Sequence, residues 1–228
     1  LRWKKDEYLR KFLIPRIAYL ITYIPGDVQL ARRWYGARGE YIECLMYPSN
    51  IFTKVDLPSK TGSSTNIMVG NSADPGNNHL EVLDKLRIYK DMDINIYCPL
   101  SYGDANHAEK VAKAGELIFG SKFIPMLSFM PLNKYIEFLG QIDVAVFAHN
   151  RQQGMGNTVT LLGLGKKVYT RRDVTHFDFF QRLGITIFDC EDLNLKAMSE
   201  DVGGNNVARV KEYFSKKNLL NQLRAIFA

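Results

Sequence analysis

The stretch from His149 to Thr160, HNRQQGMGNTVT, carries the densest set of groups able to hold an anion. It follows an apolar segment, Asp143 to Phe147, that reads as a strand. It leads into an apolar helix expected to start at Asn157 or Thr158 and run to Leu164. Gly154 and Gly156 allow positive φ and let a ligand come close to the backbone. A helix starting there aims unpaired N–H groups, and the positive end of its dipole, at whatever lies in the turn. Strand, glycine turn and helix N-terminus together are how α/β proteins hold phosphate. Arg151 suits a diphosphate, and the amides of Gln152 and Gln153 suit sugar hydroxyls. Asn157 and Thr158 could cap the helix or touch the anion. The string lacks a third glycine and a Walker lysine, so it is neither a dinucleotide fingerprint nor a P-loop. An ordinary βα loop with its caps fits the same local pattern.

Other polar residues follow apolar, strand-like runs. Asn71 and Ser72 follow the short apolar strand Ile67 to Gly70 and open an Asn/Ser/Asp-rich loop that reaches Asn78, before a helix from His79 to Tyr89. Such loops favour turns and caps. His79 reads as exposed beside the helix start, and His107 as solvent-facing. Ser101 and Tyr102 follow the run Asp93 to Leu100, in which Cys98 reads as a buried strand residue. Phe129 follows a strand from Lys122 to Leu127; it could stack on a flat ring or belong to the core. Further strands are expected at Lys167 to Thr170 and Ile185 to Phe188. Helices are expected at 105–113, 132–139 and 174–183, and again from Asp192 on, with Gly203 to Asn206 breaking that helical end. Strands alternating with helix-sized segments indicate an α/β fold, a Rossmann-like parallel sheet with helices on both faces. The polar segments would then converge in one crevice at the carboxyl ends of the strands.

Composition narrows the class. Of 228 residues, 46% are hydrophobic and 24% charged, enough apolar material for a real core. Cys44, Cys98 and Cys190 are odd in number and scattered, which argues against a disulfide framework and for a reducing compartment. The net charge of +6 suits an anionic partner. A nucleic-acid role would rest on that charge alone and is not expected. No apolar run reaches the length of a membrane span. No metal-ligand spacing appears, nor a G-x-S-x-G, so no metal or other cofactor is expected.

The N-terminal residues 1–16 form a basic amphipathic pattern. Lys4, Lys5, Arg10, Lys11 and Arg16 alternate at helical spacing with Leu1, Trp3, Tyr8, Leu9, Phe12 and Leu13. Such a helix either packs on a neighbouring domain, the reading favoured here, or lies on an anionic membrane. A strand at Ile17 to Ile24, a helix from Val28 to Trp34 and a strand at Tyr41 to Tyr47 follow. They look like the last βα piece of a preceding α/β domain. The chain opens in mid-helix without an initiator Met, and is therefore expected to be a fragment of a longer protein. Residues 1–56 read as the end of a first domain, 57–65 as a linker rich in Ser, Thr and Gly, and 66–228 as a Rossmann-like domain.

The segments Ile67 to Ser72 with Asn78-His79, and Phe147-Ala148 through Arg151-Gln-Gln-Gly-Met-Gly156, resemble one family. It is the bacterial TDP-N-acetylfucosamine:lipid II N-acetylfucosaminyltransferases, also called 4-alpha-L-fucosyltransferases, of enterobacterial common antigen synthesis. The similarity runs from the N-terminal helix to about Gly184, and the Arg-Gln-Gln-Gly-x-Gly string is its most specific part. The resemblance implies a glycosyltransferase of GT-B architecture. This chain would be its C-terminal, donor-binding portion, inactive alone. An acceptor domain would lie largely ahead of residue 1, and the chain would work in the cytoplasm, peripheral on the inner membrane. It further implies a TDP-sugar donor and a lipid-linked saccharide acceptor. Gly70, Asn71 and Ser72 would lie near the diphosphate, and Gln152, Gln153, Gly154, Gly156 and Asn157 would face sugar and phosphates. By architectural analogy Phe129 stands where the base is held, with Ser101 and Tyr102 lining the same crevice. No catalytic base is named.

Overall fold

The computed structural model describes residues 2–53, 57, 58 and 60–227, with residues 2–6 described as backbone only. Leu1 and the side chains of Trp3, Lys4 and Lys5, which the sequence places on the first helix, lie outside the described residues. So does Ser59 of the expected linker. The chain divides into two compact units: one holds residues 1–51 and 212–228, the other residues 52–211.

The first unit begins with helix α1 (Arg2–Leu13). Strand β1 (Tyr19–Thr22), helix α2 (Pro25–Tyr35) and strand β2 (Glu40–Glu43) follow, the strands pairing in parallel. This is a single βαβ crossover, and Gly36 ends α2 in the left-handed conformation a helix stop favours.

The second unit holds strands β3 (Thr65–Val69), β4 (Ile94–Pro99), β5 (Phe123–Met126), β6 (Val144–Phe147), β7 (Lys167–Thr170) and β8 (Phe188–Asp189). All pair in parallel, in the order β5-β4-β3-β6-β7-β8. Helices α3 (His79–Leu86), α4 (Ala105–Phe119), α5 (Leu132–Gln141), α6 (Met155–Gly163) and α7 (Thr175–Arg182) connect them. α3 touches α4, and α5 touches α6. Right-handed crossovers put these pairs on opposite faces of the sheet. β6 and β7 are buried at every position, as central strands covered on both faces must be. The core gathers Ile67, Val69, Leu83, Ile96, Val111 and Val146 around the β3–β4–β6 centre. Cys98 is buried in β4, as its apolar neighbours require.

The chain runs outward from β3 to β5, then returns to lay β6 on the other side of β3. The crossovers diverge at that seam and leave a crevice at its carboxyl end. Gly70 follows β3 there, and the 149–158 segment follows β6.

The structure corrects several boundaries. α4 runs six residues past Lys113, through Gly115, where the Phe123 ring packs in the space a Cβ would fill. The strand expected at 185–188 shortens to Phe188–Asp189. Thr186 joins no ladder; instead its N–H donates to Asn206 Oδ1 and its carbonyl accepts from Asn206 Nδ2, both at 2.8 Å. Asn206 therefore stands in for a neighbouring strand, and Gly203-Gly204-Asn205-Asn206 lies inside helix α8 (Glu200–Tyr213) rather than breaking it. Gly203 is needed there for close approach, since an added Cβ would sit 3.3 Å from the Gly165 carbonyl oxygen. The residues from 193 to 199, expected to be helical, are irregular. Helix α9 (Lys216–Phe227), read from sequence as part of the nucleotide domain, groups with the first unit. Its Gln222 Oε1 accepts the Leu45 N–H at 2.9 Å.

Asn206 is wholly buried and its amide satisfies two backbone groups. Asn206→Ala should destabilise the protein by about 3 kcal/mol in urea unfolding, because both Thr186 groups lose their partner away from water. Asn205→Ala, which removes one exposed bond to the Gly184 carbonyl, should cost about 1 kcal/mol. Equal costs would show that Asn206 does not carry this seam.

Candidate functional site

Two loops meet at the β3–β6 seam. The first leaves β3 at Gly70, whose φ of +68° suits glycine. A Cβ there would collide with His79 Nε2 and stand 2.9 Å from Asn77 Oδ1. Asn77 is fully buried and organises the loop. Its Oδ1 accepts the Asn71 N–H at 2.9 Å, and its Nδ2 donates to the Asp74 carbonyl at 3.0 Å and Ser72 Oγ at 3.4 Å. Asn78, at φ +53°, sends its amide across to the Ala148 carbonyl and to Asn150 Oδ1. The crevice ends of β3 and β4 are also tied, by an isolated bridge between Ala73 and Gly103.

The second loop is Ala148 to Gly154. His149 is fully buried; its Nε2 lies 2.8 Å from Asn77 Oδ1 and its Nδ1 3.2 Å from the Gln153 carbonyl. Gly154, at φ +67°, caps α6. The helix begins at Met155, two residues before Asn157 and three before Thr158, where the sequence places it. The Thr158 N–H already bonds the Gly154 carbonyl at 3.0 Å. The amides of Met155, Gly156 and Asn157 therefore precede the first intrahelical bond and stand at the positive end of the helix. Thr158 points inward, its Oγ1 donating back to the Gly154 carbonyl. Gly156 is open: an added Cβ meets no atom within 4 Å.

Of the residues singled out in the sequence, Asn71, Ser101, Tyr102, Phe129 and Asn157 line one cavity of about 230 Å³. Tyr135, not foreseen, closes its floor through a hydrogen bond with Asn157, and burial holds the Tyr135 phenol well above its usual range. Phe129 is 82% exposed, so it is not core. Gln153 reaches Asn71 Oδ1 with its Nε2 at 3.5 Å, while its Oε1 is buried with no partner. Arg151 pairs with Asp74 at 3.3 Å on the rim. Ser72 is buried in the loop's own hydrogen bonds. Gln152 is half-buried beside them. Gly70 shapes the first loop and Gly154 the second.

The histidines depart from expectation. His79 is buried, not exposed, and its Nδ1 lies 3.1 Å from Nε2 of a half-buried His107. Asn78 in the left-handed conformation turns His79 inward under Gly70. His176, at the start of α7, is buried with both ring nitrogens unpartnered, as is Thr170 Oγ1. A lone histidine carries no burial signal in sequence, and Asn77, the partner of His149 Nε2, lies 72 positions away in the chain.

A larger cavity, about 590 Å³, opens at the other edge of the sheet, beside the first residues of β3, β6 and β7. Lys60, Lys166, Lys167 and Lys196 line it, but three of their ammonium groups are engaged. Lys60 pairs with Asp143, Lys166 donates to the Gly140 carbonyl, and Lys167 donates to Asn194 and to the Lys196 carbonyl. The smaller cavity is the candidate site, because free helix amides and an unpartnered buried acceptor lie beside it. Among the described residues no group of His, Cys, Asp and Glu is arranged to hold a metal.

Sheet order, crevice and glycine-turned helix N-terminus define a Rossmann-like α/β unit of the kind found in GT-B glycosyltransferases. The chain belongs to the 4-alpha-L-fucosyltransferase glycosyl transferase group 56 family, which it matches over residues 1–212. Its fold is similar to sucrose-phosphate synthase from Thermosynechococcus elongatus, at 12% identity and TM-score 0.68, over 98% of this chain and 61% of that one. It is similar to WaaG, a glycosyltransferase involved in lipopolysaccharide biosynthesis, at 13% identity and TM-score 0.60, over 90% of this chain and 61% of that one. It also resembles the pneumococcal O-GlcNAc transferase GtfA, solved with UDP and GlcNAc, at 12% identity and TM-score 0.52, over 96% of this chain and 42% of that one. The chain thus spans about half the length of the solved structures it matches.

Burial pushes three histidines down from the ordinary 6.5: His79 to about 3, His149 and His176 to about 4. In the unfolded chain each takes a proton near 6.5; in the folded protein none does until far lower pH. Between those values the unfolded state holds more protons, so stability is complete above about pH 7 and falls with acidification. Urea unfolding should lose up to about 1.4 kcal/mol per pH unit for each of these histidines between about pH 6 and pH 5. A stability flat across that range would contradict their burial as neutral rings.

Proposed function

We propose that the second unit binds the nucleotide-sugar donor of a glycosyltransferase at the β3–β6 seam. The donor's diphosphate would sit on the amides of Met155, Gly156 and Asn157. The observation that carries this reading is the open N-terminus of α6, flanked by the buried, unpartnered Gln153 Oε1, which suits a sugar hydroxyl. The base would occupy the cavity under Phe129, Tyr102 and Tyr135. As the glycosidic bond breaks, negative charge grows on the leaving diphosphate, and fixed amides stabilise it without reorganisation. Arg151 is already paired with Asp74, so the amides and the helix dipole carry most of that stabilisation.

The reading extends to a TDP-linked deoxy-amino sugar as donor and a lipid-linked saccharide as acceptor, on the family likeness. The chain would bind the donor without turning it over, the catalytic base being contributed from elsewhere in the whole enzyme. A basic α1 whose Tyr8, Leu9, Phe12 and Leu13 are exposed beside Arg10, Lys11 and Arg16 supports docking on an anionic membrane face. Among the described residues no helix is long and apolar enough to cross a membrane. Removing residues 1–16 should abolish co-sedimentation with anionic vesicles; unchanged binding would remove the membrane part of this proposal.

Calorimetric titration with TDP, and with UDP as competitor, tests the donor site. TDP should bind saturably and more tightly than UDP; the reverse order would reassign the base. Gly156→Ala should leave stability unchanged or raise it by about 0.5 kcal/mol, since the position is open and helical. It should weaken TDP binding about tenfold or more, because a methyl group then stands where phosphate approaches. Gln153→Ala should weaken binding of the TDP-sugar more than that of TDP. Unaltered affinity in Gly156→Ala would move the diphosphate away from α6.

A further inference from the structure

His149 faces hydrogen-bond acceptors with both ring nitrogens. Nε2 meets Asn77 Oδ1 at 2.8 Å and Nδ1 meets the Gln153 carbonyl at 3.2 Å. Asn77 cannot turn its amide over to help. Its Oδ1 is already the acceptor for the Asn71 N–H, and its Nδ2 donates to the Asp74 carbonyl and Ser72 Oγ. A peptide carbonyl never donates. A neutral imidazole carries one N–H, so in either tautomer the other nitrogen sets a lone pair against an oxygen lone pair. Only the imidazolium satisfies both contacts. His79 and His176, the other buried histidines of the second unit, face no such pair of acceptors.

The ring touches the turn that would hold phosphate. A Cβ at Gly154, the residue capping α6, would stand 3.1 Å from His149 Cε1. The ring stacks on Phe147, with centroids 5.6 Å apart, and is closed from solvent. Four titratable groups act on it: Asp74 from the first loop, Arg151 from its own, His79 from α3 and His176 from α7. Asp74 favours the proton and Arg151 opposes it, but the two are paired with each other at 3.3 Å. Both other rings are themselves held neutral by burial. Burial then decides, and on the protein's own groups the His149 ring is neutral near pH 7 with one contact unmade. An anion at the α6 N-terminus changes that balance, since a nearby negative charge in a buried site favours the protonated ring.

We propose that His149 is a proton-coupled positioning residue: binding of the donor's diphosphate draws one proton from solvent onto its ring. The imidazolium then donates to both Asn77 Oδ1 and the Gln153 carbonyl, locking the glycine turn against the first loop. The proposal rests on the donor-site reading above. Donor affinity should accordingly rise as pH falls, over the range in which the fold stays intact.

The test uses the whole chain and two nucleotide sugars, TDP-glucose and UDP-glucose, whose diphosphates neither gain nor lose a proton near neutrality. Calorimetry at about pH 6, in buffers of different ionisation enthalpy, should show uptake of more than half a proton per ligand bound. Affinity should fall by up to about tenfold per pH unit as pH rises from the free ring's pKa toward that of the bound ring, and level off above it. His149→Gln should bind with little uptake and a flat pH profile. Should that variant fail to fold, the Cε1–Hε1 resonance of His149 in the unaltered protein decides. It should move from the neutral to the protonated position on adding ligand. Binding without proton uptake, or uptake undiminished in a folded His149→Gln, would overturn this proposal while leaving the donor site standing. No binding of either sugar nucleotide would overturn the donor-site reading and this proposal with it.

Discussion

The side-chain amide of Asn77 ties together the two loops on which the crevice depends. It stands in the loop after β3, accepts a backbone N–H from Asn71, donates to Ser72 and the Asp74 carbonyl, and meets His149 from the loop after β6. Asn77, Ser72 and His149 are buried, so breaking the bonds among them would leave buried polar atoms uncompensated, at about 1–3 kcal/mol each. The network therefore acts as one unit, rigid when complete and costly when incomplete. Gly70 is confined to glycine by the same packing, because His79 and Asn77 fill the space a side chain would need. Strand order makes this possible: with β3 beside β6, two loops distant in the chain emerge next to each other.

That rigid frame explains how a site with few free charges can suit a charged ligand. Arg151 and Asp74 neutralise each other on the rim, and the buried histidines are held neutral by desolvation. What remains to meet an anion is the backbone of α6, whose first amides are fixed by the Gly154 cap and by Thr158 bonding back to it. Fixed dipoles hold an anion without the desolvation cost of a buried cation, and they do not relax as its charge grows. The lysines at the opposite edge of the sheet are a contrast: more numerous, yet mostly spent on carbonyls and on Asp143.

Much of the fold was legible because apolar runs and glycine turns are local signals. β7 falls at Lys167–Thr170, the bounds its apolar residues and the preceding glycine indicate, and the order strand, glycine turn, helix around Gly154 is the one the spacing indicates. Convergence of the polar loops followed from the alternation of strands and helices alone. What escaped was decided by tertiary partners. Gly203 to Asn206 look like a break until Asn206 is seen holding the Thr186 backbone and Gly203 lying against Gly165. His79 follows a polar loop and reads as exposed, but the left-handed Asn78 turns it inward. His149 and Asn77 are 72 positions apart, and nothing local in either marks the bond between them. The start of α6 was read two to three residues late because Asn157 and Thr158 are good caps by type, whereas the backbone of Gly154 does the capping.

The most direct measurement of the central claim is residue-by-residue amide NMR of this chain during addition of a TDP-sugar. The account predicts that the largest shifts fall on Met155, Gly156 and Asn157, with Gly70 to Ser72 and Gln153 following in the same saturable titration. Shifts concentrated instead around Lys166, Lys167 and Lys196, at the opposite edge of the sheet, would contradict it and move the anion site to the larger cavity.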